Sequence, residues 1–397
     1  MRRQASLSRE QKAPGFGEPA PFFVAATDTV ERYSLDVAAG RWIVLMIFGS
    51  LANGVARAAV ELAMTKRPLF NDTDAAFYGV SVDRADRTQR GLAASEPGVR
   101  FFWDFDCAVS RLYGAADNTH LRPTVFLIDP GFRIAMAEPI EQTAKVLERL
   151  EWETRAATAV ADHPIAPVLT LPRILEPALC QALIAYFRLG RAMPSGFAID
   201  VDGRTVHGVN PRLKRRTDVT IEDDVLIELV RTRIETRLFP MVQRAFGWRA
   251  KHIERYLICR YGEEDQGFFF AHRDDVTAGT AHRKFAISLN LNAEDYEGGD
   301  LRFPEYGRRT YRPPTGGAAI FSCRLLHEAT PVTRGERFVL VPFLYDQEGA
   351  RLRRANRALV GDKPDPGISG RRPKGPRRAE GSRPAAIRAG VGKPHDA

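Results

Sequence analysis

Residues 267–275 read GFFFAHRDD. Taken as a β-strand, this stretch puts His272 and Asp274 on one face, because residues two apart on a strand point the same way. An imidazole nitrogen and a carboxylate oxygen can then reach one metal ion from adjacent positions. A third ligand must come from elsewhere, and His327 lies 53 residues after Asp274 in a strand-and-turn region. Two histidines and one carboxylate form the facial triad that leaves open positions for non-haem iron chemistry. Asp275 is the rival carboxylate, but on a strand it faces the other way. His282 is the rival histidine; in the polar loop TAGTAHRK it is expected to be solvated.

A His-x-Asp pair alone is a weak signal. The sequence after His327 strengthens it. Residues 331–344 read PVTRGERFVLVPFL, with Arg337 ten residues beyond His327 inside an apolar strand. An unpaired charge there is costly. An internal salt bridge is one remedy. A dicarboxylate, gripped by the guanidinium fork, is the better one.

Outward from this stretch, short strands are expected at 255–260, 285–290, 300–303, 318–321 and 337–344, punctuated by Gly and Pro. That pattern suggests a sandwich or jelly-roll barrel. Gly298 and Gly299, and later Gly316 and Gly317, read as turn glycines. Helical stretches at 176–189 and 223–246 precede the strands. Nearer the N-terminus, buried strands at 42–48, 76–82 and 124–128 alternate with helices at 53–67 and 140–150, which argues for an α/β layer fold. A linker follows at 154–167.

The chain has 397 residues, 44% of them hydrophobic, which suits two or three globular domains. Its net charge is +9, and residues 347–397, with 13 Lys/Arg against 5 Asp/Glu, carry +8 of it. This basic, Gly- and Pro-rich tail is expected to be disordered, like a loose leader over residues 1–15. The tail lacks the interleaved aromatics that stack on bases, so nucleic acid is a disfavoured partner. The longest apolar run, 42–48, is too short to span a bilayer. No apolar segment follows Arg2 and Arg3, so no signal peptide is read and a cytoplasmic, membrane-free setting is expected. The four cysteines form no CxxC pair and are expected to be free and buried.

Five blocks, in order, carry a family resemblance: RYLICRYGEEDQGFFFAHRDD, RKFAISLNLN, DYEGGDLRFPEYG, PPTGGAAIFSCRLLHEATPV and TRGERFVL. Residues 171–345 resemble the prolyl 4-hydroxylase-like branch of the 2-oxoglutarate and iron(II) dioxygenases. The resemblance implies a double-stranded β-helix (jelly-roll) domain with flanking helices over residues 165–346. It implies Fe(II) on His272, Asp274 and His327, and Arg337 on the distal carboxylate of 2-oxoglutarate. Tyr261, or Tyr256 in its place, would touch the cosubstrate. The implied reaction uses O2 to hydroxylate a C–H bond of a peptidyl proline, another amino-acid-like substrate or a small molecule. Succinate and CO2 are released, and L-ascorbate keeps the iron reduced. Substrate contacts are expected from loops 191–216 and 277–283.

Residues 15–152 resemble the thioredoxin-like superfamily, nearest its peroxiredoxin and redoxin branch, through GEPAPFF, RWIVLMIFGS, GVSVDRAD, DCAVSRLYGA and RPTVFLIDPGFRI. That family's working cysteine should follow the first buried strand. Here the stretch is GSLANGVARAAVEL, with no cysteine. The thiolate is the nucleophile in such chemistry, so no thiol activity is expected, and Cys107 is read as buried packing. Two rival readings are a non-catalytic scaffold built on a degenerate redoxin module and a nucleic-acid-modifying dioxygenase. Nothing in the sequence fixes an oligomeric state.

Overall fold

The computed structural model describes residues 13–88, 97–159, 164–201 and 203–361. Residues 1–12 of the leader expected over 1–15, part of the linker, and the tail beyond residue 361 lie outside the described residues. Among the described residues no helix is long and apolar enough to cross a membrane.

The N-terminal sheet is built on the strand Trp42–Gly49. It pairs in parallel with Ala75–Ser81 and antiparallel with Thr124–Ile128. Two edge strands absent from the sequence reading, Val99–Trp103 and Ile134–Pro139, complete five. Every residue of Ala75–Ser81 is buried. A strand covered on both faces reads as a continuous apolar run, which is why it was legible. One face packs on the helices Gly54–Thr65 and Thr143–Ala159 through Val44, Met46, Val60 and Val146. Asn53 starts the first helix by accepting hydrogen bonds from the Val55 and Ala56 amides. The other face carries a core of Ile43, Leu45, Tyr78, Phe102 and Phe126, and that core also takes in Leu326 and Ala271 from the C-terminal half.

The four cysteines are free. Three are buried as expected; Cys107 is not. It is half-buried with φ 56° at the start of the helix Ala108–Leu112. Burial, then the charge of Asp104, pushes its thiol up, away from the reactive thiolate.

In the C-terminal half, the helix Pro177–Leu189 and a helical stretch over 224–246 cover one face of a ten-stranded sheet. Leu183, Phe187, Val230 and Ile234 meet Ile258, Leu289 and Leu340 there. The long stretch is broken by a π-turn, Ile234–Leu238, just before Pro240, which has no N–H to continue the α-helical ladder. A second, five-stranded sheet runs in the order Lys214–Arg215, Phe268–His272, His327–Ala329, Leu301–Arg302, Thr310–Tyr311. The two sheets share apolar clusters. One joins Leu257, Cys259, Tyr261 and Val339 to Ala329; the other joins Ala286, Ala319 and Phe343 to Leu301 and Phe303. The turn at Gly298 and Gly299 has φ of 68° and 65°, and a Cβ at Gly298 would lie 2.2 Å from the Pro331 carbonyl oxygen. Only glycine fits there.

Two segments depart from expectation. Within the region read as a loop at 191–216, the strands Phe197–Val201 and Arg204–Gly208 form an antiparallel hairpin. And residues 347–361 are not disordered. The Asp346 carboxylate accepts from the Gly349 amide at 2.8 Å and from Trp248 Nε1 at 2.9 Å, capping the helix Gln347–Ala355. Asn356 then donates to the Ala278 carbonyl, and the Gly361 amide to the Thr205 carbonyl of the hairpin, at 2.8 and 2.9 Å. Local capping and these contacts overcome a composition that by itself predicts disorder.

Candidate metal centre

His272 and His327 stand opposite each other on adjacent antiparallel strands. A register shift between Phe269 and His272 marks a bulge, a device that re-aims side chains next to sites. The strand ends at His272, so Asp274 sits in the bend beyond it rather than on the strand. Its amide donates to the Cys323 carbonyl at 3.0 Å, which keeps it beside the histidines. His272 Nε2 lies 3.6 Å from Asp274 Oδ1 and His327 Nε2 lies 3.3 Å from Asp274 Oδ2. One ligand atom from each residue falls within 4.8 Å of the others. Neighbouring ligands on an ion with bonds of about 2.1 Å sit about 3 Å apart, so a slight contraction would close the set on a metal.

The protons are placed by chemistry. His272 Nδ1 lies 2.8 Å from the Phe270 carbonyl and His327 Nδ1 lies 3.0 Å from the Leu325 carbonyl. A carbonyl can only accept, so each Nδ1 donates and each Nε2 keeps its lone pair. Burial, then the neighbouring His327, lowers His272 to about 4. Burial alone would raise Asp274, but the two histidines that face it, His327 first, hold it well below the usual carboxylate range. Two imidazole nitrogens and one carboxylate are the donor set of a non-haem iron(II) site with open positions.

The rivals separate. Asp275 pairs with Arg324 at 3.1 Å, away from the cluster. His282 is not solvated as expected: it is 1% exposed, with Nε2 2.7 Å from Glu254 Oε2. Arg283 also pairs with Glu254, at 2.8 Å. The loop buries around these pairings with Glu254 and the Thr277 and Thr280 hydroxyls, 2.9 Å apart, while His282 Nδ1 has no partner.

Tyr261 and Arg337 are direct cross-strand partners, and the guanidinium lies 5.2 Å from the tyrosine ring centroid. Arg337 is 3% exposed. It donates to Ser288 Oγ at 2.9 Å, its Nε has no partner, and it forms no ion pair among the described residues. The internal salt bridge weighed from sequence is therefore absent among them. Tyr256 instead packs against the apolar core under the helices.

Two further residues escaped the sequence reading. Arg216 Nη1 donates to the Tyr261 hydroxyl at 3.2 Å while pairing with Asp218 at 2.7 Å. Lys214 Nζ donates to the Gly196 carbonyl at 2.7 Å and lies 4.3 Å from the Phe269 ring centroid. Phe269 in turn stacks on His272, with centroids 3.5 Å apart. Lys214 meets no carboxylate at ion-pair distance among the described residues; burial, then Arg216, pushes its ammonium well below the usual range. The alternation in KRRTD at 214–218 was the available signal, since it aligns Lys214, Arg216 and Asp218.

Residues 256–345 match the 2OG-Fe(II) oxygenase superfamily, and residues 16–136 the AhpC/TSA family. A multifunctional procollagen lysine hydroxylase and glycosyltransferase of Rattus norvegicus is 32% identical over 126 residues, which span 31% of this chain and 16% of that protein. A PKHD-type hydroxylase of Maricaulis maris is 28% identical over 144 residues, 36% of this chain and 64% of that protein. The chain thus spans less than two thirds of either relative. A solved prolyl-4-hydroxylase of Pseudomonas putida is similar at 18% identity and a TM-score of 0.33, over 49% of this chain and 98% of that one.

Proposed function

We propose that this chain, which carries a 2OG-Fe(II) oxygenase superfamily region at residues 256–345 and an AhpC/TSA region at 16–136, is a 2-oxoglutarate- and iron(II)-dependent dioxygenase. It hydroxylates a C–H bond of a peptidyl proline or another amino-acid-like substrate. We read residues 15–152 and 165–346 as its two domains, the second a double-stranded β-helix. The observation that carries the proposal is Arg337, a buried guanidinium without an acidic partner among the described residues. It is linked to the His272–Asp274–His327 cluster through Tyr261, on which it lies, and Phe269, which packs on the Tyr261 cluster and stacks on His272.

His272, Asp274 and His327 would hold iron(II), which with 2-oxoglutarate and O2 would supply the oxidising power, the cosubstrate leaving as succinate and CO2; L-ascorbate would keep the metal reduced. His272 and His327 present Nε2 because their Nδ1 protons are committed to carbonyls. Asp274 stays anionic. Arg337 grips the distal carboxylate through its free Nε edge, with Ser288 fixing the guanidinium plane. Tyr261 lies under that plane with its hydroxyl held by Arg216, and forms a wall of the cosubstrate pocket. Leu257, Cys259 and Val339 keep water from the same interior.

The relatives' names include hydroxylases of procollagen lysine and of PKHD type, which supports a peptidyl or amino-acid-like substrate. The test is an anaerobic titration of the Fe(II)-loaded chain with 2-oxoglutarate, followed by succinate release against peptide and small-molecule libraries. Saturable binding and substrate-stimulated succinate support the reading. Absence of cosubstrate binding sinks it.

A further inference from the structure

The residues that flank the cluster pack away from it, toward the N-terminal half of the chain. Ala271 and Arg273 flank His272, and Leu326 precedes His327. Ala271 and Leu326 do not face solvent. Both pack into the core of the N-terminal sheet, with Leu45, Tyr78, Phe102 and Phe126, and Leu326 is fully buried there.

Arg273, between His272 and Asp274, makes the polar half of the same junction. Its side chain is 8% exposed. Nε pairs with Asp36 of the N-terminal domain at 3.1 Å and Nη2 with Glu305 at 2.9 Å. Nη1 donates to the Arg324 carbonyl, and the guanidinium lies 5.1 Å from the ring centroid of Phe22. Glu305 in turn accepts from the Leu326 amide at 3.0 Å, and Asp36 accepts from Ser34. One buried network thus runs from the N-terminal domain to the backbone beside His327. The domains meet at backbone range nearby: Gly40 has φ +89°, and a Cβ on it would lie 2.4 Å from Pro304 Cβ. Among the described residues, a second inter-domain ion pair, Arg308–Asp74 at 3.0 Å, is exposed and touches neither ligand strand. Exposed pairs contribute little, whereas breaking a buried one is costly.

We propose that the N-terminal domain, which lacks the thiol of its fold, is the fixed outer wall of the metal site, and that Arg273, anchored by Asp36 and Glu305, is the positioning residue that sets how His272, Asp274 and His327 converge. The inference rests on reading those three residues as metal ligands. The domain needs no catalysis of its own for this role. It needs only an intact sheet face, which replaces solvent behind the ligand strands with a packed, incompressible surface. Partners behind first ligands fix their orientation and tune affinity.

The test uses the full chain, Co(II) as the probe, and a temperature well below unfolding. Asp36→Asn removes the anchor's charge from a residue remote in sequence from the ligands. It is expected to weaken Co(II) binding about ten-fold or more and to alter the visible ligand-field band, with circular dichroism unchanged. Asp74→Asn, which breaks the exposed pair and alters only a local exposed bond from Asn71 beside it, is expected to stay within about two-fold of wild type, as exposed pairs do. If Asp36→Asn does not fold, Arg273→Lys takes its place, with affinity expected between wild type and the ten-fold loss. Asp36→Asn with unchanged affinity and band overturns the inference. So does an equal loss in Asp74→Asn, which would mark general domain adhesion. A wild-type chain that binds no Co(II) overturns the metal reading itself, and the inference with it.

Discussion

His272 and His327 face each other across neighbouring strands, and each donates its Nδ1 proton to the carbonyl two residues behind it in its own chain. The two Nε2 atoms are thereby presented as a matched pair toward Asp274. Replacing either histidine by alanine should remove Fe(II) binding and substrate-dependent succinate together. Iron-dependent succinate surviving His327→Ala would remove that residue from the site.

Arg337→Ala should weaken 2-oxoglutarate binding by about 2–5 kcal/mol, the usual cost of truncating one partner of a buried charge pair. Arg337→Lys should recover only part of it, because a lysine keeps the charge and loses the fork. Calorimetric titration measures both. Equal affinity in Arg337→Ala and wild type would assign the arginine to structure alone.

Lys214 is depressed by burial, so the folded chain binds fewer protons there than the unfolded one. Its cost to stability is full at and below the folded pKa and fades as pH rises toward about 10.4. Lys214→Met should therefore stabilise the ligand-free chain at neutral pH by about 1–2 kcal/mol. Added 2-oxoglutarate should raise its melting midpoint less than in wild type, since a cation without a carboxylate partner is lost. A lower midpoint without ligand would refute the argument.

Glu254 behaves in the opposite sense. Burial would raise it, but hydrogen bonds from His282 and Arg283 hold it below the usual range. Its contribution is present above the unfolded value of about 4.3 and lost as pH falls through the folded one. Glu254→Gln should cost about 3–5 kcal/mol at neutral pH, and the gap should begin to narrow below about pH 4 and go on narrowing as the pH falls further. Denaturant melts across that range decide it; a gap that persists at low pH would assign the loss to packing.

The N-terminal domain should reduce no hydrogen peroxide at the expense of thiols. No cysteine stands between Gly49 and Leu62, and the Cys107 thiol is pushed up. Thiol-coupled peroxide consumption that disappears in Cys107→Ser would contradict this.

The nearness of His272 and Asp274 was legible from their spacing but not for the reason the strand period gives, since the strand ends at His272 and the Asp274 amide is held by the Cys323 carbonyl. The buried strand Ala75–Ser81 was legible because it is unbroken apolar sequence. His282 was misread because its partner, Glu254, comes from a strand 28 residues earlier, which no local polarity reveals. The Asp36–Arg273 pair spans 237 residues and was invisible for the same reason. Net charge misled at the C-terminus: the composition of 347–397 averages a capped helix with the residues after it, and the capping signal at Asp346 was overridden by the arginines.

The pairing of Gly361 with Thr205 gives the C-terminal helix a consequence for anyone shortening this chain. A cut at Asp346, where composition turns basic, would delete the clasp that holds Ala278 and the turn end of the Phe197–Gly208 hairpin, whose open end adjoins the Gly196 carbonyl that receives Lys214. A cut after Gly361 keeps the clasp and still sheds most of the positive charge. Among the described residues the fold therefore runs on through a strap that closes back on the hairpin, fifteen residues past the point where the sequence turns basic.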